Sequence, residues 1–377
     1  MTTGTSKPFS IIFLLLASIL GTVISEPTAN KSGDQFLANQ TFKTFKHKRL
    51  RTYLRKINKP AVKTVQSPDG DLIDCVVSHL QPAFDHPHLK GMKPLEPPKR
   101  PIENATTESS FQLWTVSGES CPKGTVPIRT TTEKDVIRAS TFQRFGRKII
   151  RRDIMSSDHE HAVAFLWVIS GTFGDDLNSI EAGWQVSPEL YGDIYPRFFT
   201  YWTSDAYQTT GCYNLLCSGF VQTNNKIAMG AAISPTSLVN NRQLDIDVMI
   251  WKDPKHGHWW LELGSGLLVG YWPSFLFSHL QNHASMIQFG GEIVNSRSMG
   301  FHTSTQMGSG HFADEGFGKA SYFRNLQLVD WDNNLIPLSN LQLLADNPNC
   351  YDIKAGKNNI WGDYFYYGGP GRNSRCP

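Results

Sequence analysis

The chain has 377 residues, a formal net charge of +3 and 40% hydrophobic residues. This length and composition indicate a globular protein with room for two or three domains, and they exclude a largely disordered chain. No segment after the N-terminus contains 18 uninterrupted apolar residues, so we expect no membrane anchor.

The N-terminus has the features of a secretory signal peptide. Lys7 supplies a positive charge, an apolar run extends from Ile11 to Leu20, and small residues near Ser25 offer a cleavage site. The apolar run is too short to span a bilayer comfortably. We therefore predict a signal peptide over residues 1–25 and an exported, extracellular protein.

Cysteines and glycosylation sequons agree with export. Six cysteines, an even number, are typical of a compartment where disulfides persist. A Cys212–Cys217 bridge would close a small loop, a Cys350–Cys376 bridge would fix the C-terminus, and Cys75 and Cys121 would remain, but fifteen connectivities are open. Three sequons before residue 110 predict glycosylation in an exposed part of the chain, at Asn30, Asn39 and Asn104.

The charge is distributed unevenly. Residues 26–156 contain 23 Lys+Arg and 13 Asp+Glu, a net charge of +10, whereas residues 157–377 contain 12 and 20, a net charge of −8. Opposite charges should attract the two parts to each other. The basic part is punctuated by prolines, shows helical spacing over 43–57, and ends in a basic run over 144–152 where processing enzymes could cut. The alternative is a permanent basic module that binds anionic polysaccharide, or, less favoured in an exported protein, nucleic acid.

Residues 157–377 have the pattern of an all-β domain. Short β-branched and aromatic runs separated by turn residues favour an antiparallel sandwich or barrel, and no βαβ alternation is present. One short helix is predicted over Trp272–Ser285. The predicted strands are His161–Gly171, Arg197–Trp202, Gly219–Thr223, Lys226–Ile233, Leu244–Trp251, His258–Leu263, Leu267–Trp272, Ile287–Val294 and Ala320–Trp331.

Two glutamates occur in similar strand contexts. In the segment 178–186, strand alternation places Glu181 on one face with Gly183 and Gln185. In 287–293, Glu292 shares a face with Gly290 and Gln288. Glycine lets another backbone approach closely, and glutamine can donate to a carbonyl oxygen or orient a water, so these neighbours form a candidate substrate cleft. The alternative is a pair of ordinary solvent-facing strand glutamates.

Other catalytic and binding motifs are not favoured. The two His-x-His segments, His159–His161 and His256–His258, could each offer two imidazoles to zinc, but no third ligand follows at a recognisable spacing. There is no G-x-S-x-G elbow, no phosphate-binding glycine loop and no nucleic-acid motif. We therefore expect no metal, no cofactor and no nucleic-acid partner.

The residues around both glutamates resemble the neprosin family, secreted plant glutamic endopeptidases that cleave after proline. The resemblance continues through Gly70–Val76 and Cys121–Gly124 in the basic part, which look like the family's activation peptide. In the acidic part it includes Val269–Pro273 and Thr305–Phe312.

The resemblance implies a secreted precursor located in the cell wall, the apoplast or a secreted fluid. Its parts would be a basic activation propeptide over 26–156 with partial helix, and an antiparallel β-sandwich peptidase domain over 157–377. It implies that Glu181 and Glu292 are the catalytic pair. It also implies the bridges Cys212–Cys217 and Cys350–Cys376, and proline-containing peptides as substrates.

In such a peptidase one ionised glutamate activates water and the other, protonated, acts as acid. An acid working pH follows, and we expect activation to share this acid trigger, with a cut between Arg144 and Asp158. The alternatives are a catalytically silent member of the family and a carbohydrate-binding or carbohydrate-active cell-wall sandwich, since two carboxylates also hydrolyse glycosides.

Overall fold

A computed structural model describes residues 48–101, 111–139, 144–148, 161–264, 266–295, 300–339 and 341–377. From Arg49 to Pro377 the chain forms one compact unit. The predicted signal peptide, the three sequons and residues 149–158 of the predicted processing linker lie outside the described residues. Within these ranges, no helix is both long and apolar enough to cross a bilayer.

The N-terminal segment, which we define as the described residues from 48 to 148, contains both helix and sheet. Helix α1 covers residues 48–57 and lies within the predicted helical range. An antiparallel sheet, which the sequence did not predict, has the order β1-β2-β3, and helix α2 follows it with a capping box at Thr132. The bounds are β1 Ala61–Gln66, β2 Leu72–Val77, β3 Thr125–Arg129 and α2 Glu133–Arg138.

The largest sheet in residues 161–377 has five antiparallel strands in the order β12-β4-β5-β6-β7. Its central strands carry long runs of β-branched and aromatic residues, which suit a sheet covered on both faces. Short α3, Pro188–Tyr191, connects β5 to β6. The bounds are β4 Ala162–Ser170, β5 Asn178–Val186, β6 Arg197–Thr203, β7 Cys212–Tyr213 and β12 Met286–Ile293.

A second antiparallel sheet, of four strands in the order β8-β11-β10-β9, packs against one face of the first. The core between them takes alternate residues from each strand, as in an aligned sandwich. It contains Ile180, Phe198 and Trp202 from one sheet and Leu261, Val269 and Trp272 from the other. The predicted all-β antiparallel sandwich is therefore confirmed. The bounds are β8 Val221–Gln222, β9 Val248–Lys252, β10 Trp259–Leu263 and β11 Leu267–Trp272.

Two smaller sheets complete the fold, in the orders β13-β17-β16 and β14-β15. Phe365 and Tyr367 of β17 pack against Ala164, on the opposite face of β4 from Val163 and Phe165. Disulfides join Cys75 to Cys121, Cys212 to Cys217 and Cys350 to Cys376. The bounds are β13 Ser321–Phe323, β14 Gln327–Val329, β15 Leu335–Pro337, β16 Asp352–Asn358 and β17 Gly362–Gly368.

Two local predictions were wrong. Lys226–Ile233 forms isolated bridges in place of a strand, because side chains of the N-terminal segment bind its backbone: Gln112 accepts from Ala228 N at 2.8 Å and donates to Ala228 O at 2.7 Å. The predicted helix over Trp272–Ser285 is reduced to a 3-10 turn at Ser274–Leu276. Here the backbone N–H groups of His279 and Leu280 donate to Asn178 Oδ1, so they are satisfied without the hydrogen bonds of a helix.

Candidate active site

Glu181 and Glu292 project from the same face of the five-stranded sheet. In β5, Glu181 lies opposite Trp167 of β4 and Tyr201 of β6, while in β12 Glu292 lies opposite Val163 of β4. Val163, Trp167 and Tyr201 all belong to the apolar cluster on the face that turns away from the sandwich core. The two strands lie on either side of β4, so strand alternation directs both carboxylates to this face.

The two carboxylates converge on a single nitrogen. Lys148 of the N-terminal segment donates from Nζ to Glu181 Oε2 at 3.1 Å and to Glu292 Oε2 at 2.7 Å. The side chain of Glu181 is 1% exposed, whereas that of Glu292 is 38% exposed. Glu181 is therefore a buried carboxylate and not an ordinary solvent-facing strand residue.

Lys148 is held in this position by the sheet below it. Phe145 is buried in an apolar cluster with Leu216, and Gly146 O accepts a hydrogen bond from Tyr213 N at 2.8 Å. The backbone N–H of Lys148 donates to the hydroxyl of Tyr201 at 3.2 Å. The ammonium group also lies 5.6 Å from the ring centroid of Trp167. This part of the N-terminal segment thus covers the surface beside both glutamates.

The three charged groups shift one another's pKa values. Burial raises the pKa of Glu181, and the attraction of Lys148 only partly opposes this effect. Burial also acts to raise the pKa of Glu292, but there Lys148 outweighs burial and the pKa is lowered. Although burial acts to lower the pKa of Lys148, both carboxylates raise it well above its ordinary value, so Lys148 is charged. The pair is therefore unequal, and Glu181 takes up a proton more readily than Glu292.

A tyrosine hydroxyl contacts the other oxygen of Glu181. Tyr207 donates to Glu181 Oε1 at 2.9 Å, and Ser179 Oγ lies 3.3 Å from the same hydroxyl. Tyr207 follows the end of β6 in a loop and did not emerge from the sequence, because nothing in the pattern around it indicates which side chain the loop will turn towards Glu181. Strand alternation could have identified Ser179, because it lies two residues before Glu181 and so shares its face of β5.

The four predicted cleft residues differ in their surroundings. A Cβ atom at Gly183 would lie 2.0 Å from Ala164 O. The backbone that approaches this glycine closely is therefore that of the neighbouring strand β4. Gln185 is fully buried and donates to the hydroxyl of Tyr191 at 3.2 Å. By contrast, Gly290 has open space where a Cβ would lie, and the partly exposed Gln288 donates to Met286 Sδ at 3.2 Å. The open part of the candidate cleft is therefore the β12 side.

A buried ion cluster joins the N-terminal segment to the sandwich. Arg197 of β6, with no exposed side-chain area, pairs with Asp69 at 3.3 Å and with Asp71, and both carboxylates belong to the N-terminal segment. Arg129 of the same segment pairs with Asp71 at 2.9 Å. At this contact the N-terminal segment, which is basic overall, contributes the carboxylates, and the sandwich, which is acidic overall, contributes Arg197. The net charge of each part therefore does not predict which individual residues pair.

In the second His-x-His segment considered for zinc, both histidines have other partners, whereas His159 of the first segment lies outside the described residues. His256 Nδ1 lies 2.7 Å from Asp253 Oδ2, and His258 Nδ1 accepts from Ser274 N at 3.1 Å. Among the described residues, one group of three metal-ligand side chains lies close together: His302, Cys350 and Cys376. The two cysteine sulfurs of this group are bonded to each other in a disulfide.

The fold and the site define a β-sandwich protein whose N-terminal segment covers its own pair of converging carboxylates. The sequence model described as Neprosin matches residues 158–370, and that described as Neprosin activation peptide matches residues 64–165. The first match covers more than half of the chain, which therefore belongs to the neprosin family, as its sequence resemblance predicted. Neprosins are a peptidase family, and the activation peptide marks the chain as the precursor form of a member.

Proposed function

We propose that this chain is the zymogen of a secreted, acid-active glutamic endopeptidase that hydrolyses peptide bonds on the C-terminal side of proline. One observation carries the proposal: two carboxylates from strands on either side of β4 converge on one point, where Lys148 lies within hydrogen-bond distance of both. The preference for proline and the export of the protein rest on family membership and on the sequence features described above.

The mechanism follows from the inequality of the pair. Two nearby carboxylates favour a state that holds one proton, because ionising one raises the pKa of the other. Burial favours the protonated form of a carboxyl group, and the side chain of Glu181 is 1% exposed against 38% for Glu292, so Glu181 is assigned as the acid and Glu292 as the base. Glu292 takes a proton from a water that attacks the scissile carbonyl carbon. Glu181 donates its proton to the leaving nitrogen as the C–N bond breaks.

The N-terminal segment inhibits the enzyme in this proposal. Lys148 forms ion pairs with both carboxylates and occupies the place where a substrate amide would bind. Removal of the segment releases both groups. Within the segment, the Cys75–Cys121 disulfide lies entirely upstream of the basic run 144–152, so a cut on the C-terminal side of Lys148 leaves no covalent link between the segment and the sandwich.

The rival function, a silent or carbohydrate-active sandwich, makes a different prediction. A glycosidase also needs two carboxylates, but nothing in its chemistry requires a lysine of the same chain to form ion pairs with both of them. The contact of Lys148 with both carboxylates therefore favours an enzyme that must be inhibited until it is processed.

The full chain should be incubated at acid pH with a peptide that contains one proline, and the products identified by mass spectrometry. We expect cleavage at the C-terminal side of the proline, unaffected by a metal chelator or by serine and cysteine reagents. The absence of cleavage after removal of the N-terminal segment would refute the proposed activity. Strong inhibition by a chelator would refute the two-glutamate mechanism.

A further inference from the structure

The two oxygens of Glu181 have different partners. Oε1 accepts a hydrogen bond from Tyr207 at 2.9 Å, whereas Oε2 faces the position shared with Glu292, where Lys148 Nζ lies 3.1 Å away. A protonated carboxyl group carries one O–H, and an oxygen that already accepts from a hydroxyl is poorly placed to carry it. The contact with Tyr207 therefore directs the proton of Glu181 to Oε2, the oxygen that faces the site.

The backbone at Tyr207 is in a conformation that a bulky residue seldom adopts. The φ angles of Ala206 and Tyr207 are 52° and 65°, both in the left-handed region that favours glycine. Each such residue costs on the order of 1 kcal/mol and persists only where the surrounding structure holds it. A local cost retained at two consecutive residues suggests that the position of the Tyr207 side chain has a function.

The loop that contains Tyr207 is held by a dense set of hydrogen bonds. Ala206 N donates to Leu177 O at 2.9 Å, and Tyr207 N donates to Thr203 Oγ1 at 3.0 Å. The carboxylate of Asp205 accepts from the backbone and the hydroxyl groups of both Thr209 and Thr210. Although burial acts to raise it, these hydrogen bonds lower the pKa of Asp205 to about 2, so the loop keeps its anchor under acid conditions.

Ser179 extends the chain of hydrogen bonds. Its Oγ lies 3.3 Å from the hydroxyl of Tyr207, which already donates its single proton to Glu181. Ser179 is therefore the donor in this contact. A hydroxyl that accepts one hydrogen bond becomes a better donor to the next, so Ser179 strengthens the bond from Tyr207 to Glu181.

We propose that Tyr207 is a positioning residue of the catalytic pair: it holds the proton of Glu181 on Oε2 and stabilises the carboxylate that forms when this proton leaves. The inference rests on the proposed function of the pair and adds a residue to it. The water oxygen bonds to the carbonyl carbon and gives a proton to Glu292, while the proton on Glu181 passes to the leaving nitrogen. The proton on Glu292 then returns to Glu181.

The contribution of Tyr207 is greatest in the transition state. Its hydrogen bond is neutral while Glu181 is protonated and becomes charge-assisted as Glu181 ionises, which makes it roughly twice as strong. An interaction that strengthens in the transition state raises kcat, and Tyr207 contacts Glu181 rather than substrate, so KM should change little. Loss of a charge-assisted hydrogen bond corresponds to a rate decrease of about 10- to 100-fold.

The groups that face the pair from each neighbouring element decide its pH dependence. Besides Tyr207, they are Lys148 in the precursor, Tyr201 of β6, Tyr213 of β7 and, beside Glu292, His161. Lys148 is absent once the N-terminal segment has been removed, so the test uses processed enzyme. Because Tyr207 stabilises the ionised form of Glu181, its removal raises the pKa of Glu181, and the alkaline limb of the kcat profile moves to higher pH.

The test compares processed wild-type enzyme with the variants Tyr207→Phe and Tyr367→Phe on a proline-containing peptide across pH. Tyr367 is the matched control: it is a buried tyrosine whose hydroxyl is hydrogen-bonded to Ser321. It packs against the face of the five-stranded sheet opposite to that of Glu181. We expect Tyr207→Phe to lower kcat about 10- to 100-fold, leave KM unchanged and shift the alkaline limb upwards, and Tyr367→Phe to do none of these.

An unchanged kcat and pH profile in Tyr207→Phe would overturn the inference. A decrease in kcat that leaves the alkaline limb of the kcat profile at its wild-type pH would also overturn it. Should Tyr207→Phe fail to fold, Ser179→Ala takes its place, with a smaller decrease in kcat and an upward shift of the limb expected. An unchanged pH profile in Ser179→Ala would then overturn it. Failure of the proposed function looks different, because processed wild-type enzyme would then not cleave the peptide, and failure of the two-glutamate mechanism would leave Glu181→Gln active.

Discussion

The ammonium group of Lys148 lies 2.7 Å from Oε2 of Glu292, so a residue of the N-terminal segment neutralises a carboxylate of the candidate active site. The same ammonium group binds Glu181 at 3.1 Å. The side chain of Lys148 is 11% exposed, so a salt bridge at this position is poorly screened by solvent. One side chain can thus keep both proposed catalytic groups occupied until the segment leaves.

Replacement of Lys148 by glutamine should weaken the inhibition of the precursor. The variant loses two charge-assisted hydrogen bonds to Glu181 and Glu292, so we expect its processing at acid pH to be about tenfold faster than that of the wild type. Gel electrophoresis over time measures this rate. Arg147→Gln is the control, because it removes the neighbouring charge from an exposed side chain. Equal processing rates in Lys148→Gln and wild type would contradict the inhibitory role.

Activation should require a lower pH than activity does. Lys148 lowers the pKa of Glu292, so the stability that this contact contributes is present above the ordinary glutamate range and is lost as pH falls through the lowered pKa. Once Lys148 has left, the pKa values of both carboxyl groups rise, and the singly protonated pair persists to higher pH. Activation and activity thus share an acid range, as expected from the sequence, but with different midpoints.

This difference can be measured on one preparation. Processing of the precursor and peptide turnover by processed enzyme should be followed over the same pH series, the first by N-terminal sequencing and the second by mass spectrometry. We expect the midpoint for processing to lie at lower pH than the alkaline midpoint for turnover. Coincident midpoints would show that Lys148 does not control activation.

Asp71→Asn should destabilise the precursor and leave processed enzyme unaffected. Burial acts to raise the pKa of Asp71, but Arg129 and Arg197 outweigh it and lower the pKa. The contribution of Asp71 is therefore present above the ordinary aspartate range and is lost as pH falls through the lowered pKa. Breaking a buried ion pair costs about 3 kcal/mol, so near neutral pH the Tm of the Asp71→Asn precursor should be lower than that of the wild type. On acidification the Tm of the variant should decrease less than that of the wild type.

A matched variant separates this effect from a general loss of charge. Asp85 pairs with Lys59, and its side chain is 48% exposed. Asp85→Asn should therefore change the unfolding free energy by less than about 1 kcal/mol. A similar decrease in Tm for Asp71→Asn and Asp85→Asn would show that the buried ion cluster does not hold the N-terminal segment.

Much of the sandwich was predictable from sequence because its strands follow a two-residue period. This period separated the faces as the structure has them: Ile180 and Ala182 of β5 pack in the sandwich core, whereas Glu181 projects from the opposite face. The three disulfides agree with the proposed pairs, although spacing alone left fifteen possibilities open.

The remaining features depend on contacts between distant parts of the chain. Lys148 lies in a run with several basic residues, and nothing local distinguishes the one that reaches Glu181, 33 positions away, and Glu292, 144 positions away. The sheet of the N-terminal segment was not predicted because β3 contains Pro127 and pairs with β2 across the long interval 78–124, which no local pattern indicates. The roles of Gln185 and Gly183 also depend on which strand and which side chain lie beside them.

The most direct test of the account compares the variants Glu181→Gln and Glu292→Gln with wild type after trypsin has cut the basic run 144–152 on the C-terminal side of Lys148 and has been inhibited. Glu262→Gln is the control: Glu262 is a buried strand glutamate that pairs with Arg100 of the N-terminal segment, away from the candidate site. Turnover of a proline-containing peptide is measured at acid pH by mass spectrometry, with the Tm as a check on folding. Because each glutamate has one step of proton transfer, we expect both variants to lose about a hundredfold or more in kcat, while Glu262→Gln retains wild-type turnover. Turnover near the wild-type rate in either folded variant, Glu181→Gln or Glu292→Gln, would contradict the two-glutamate mechanism.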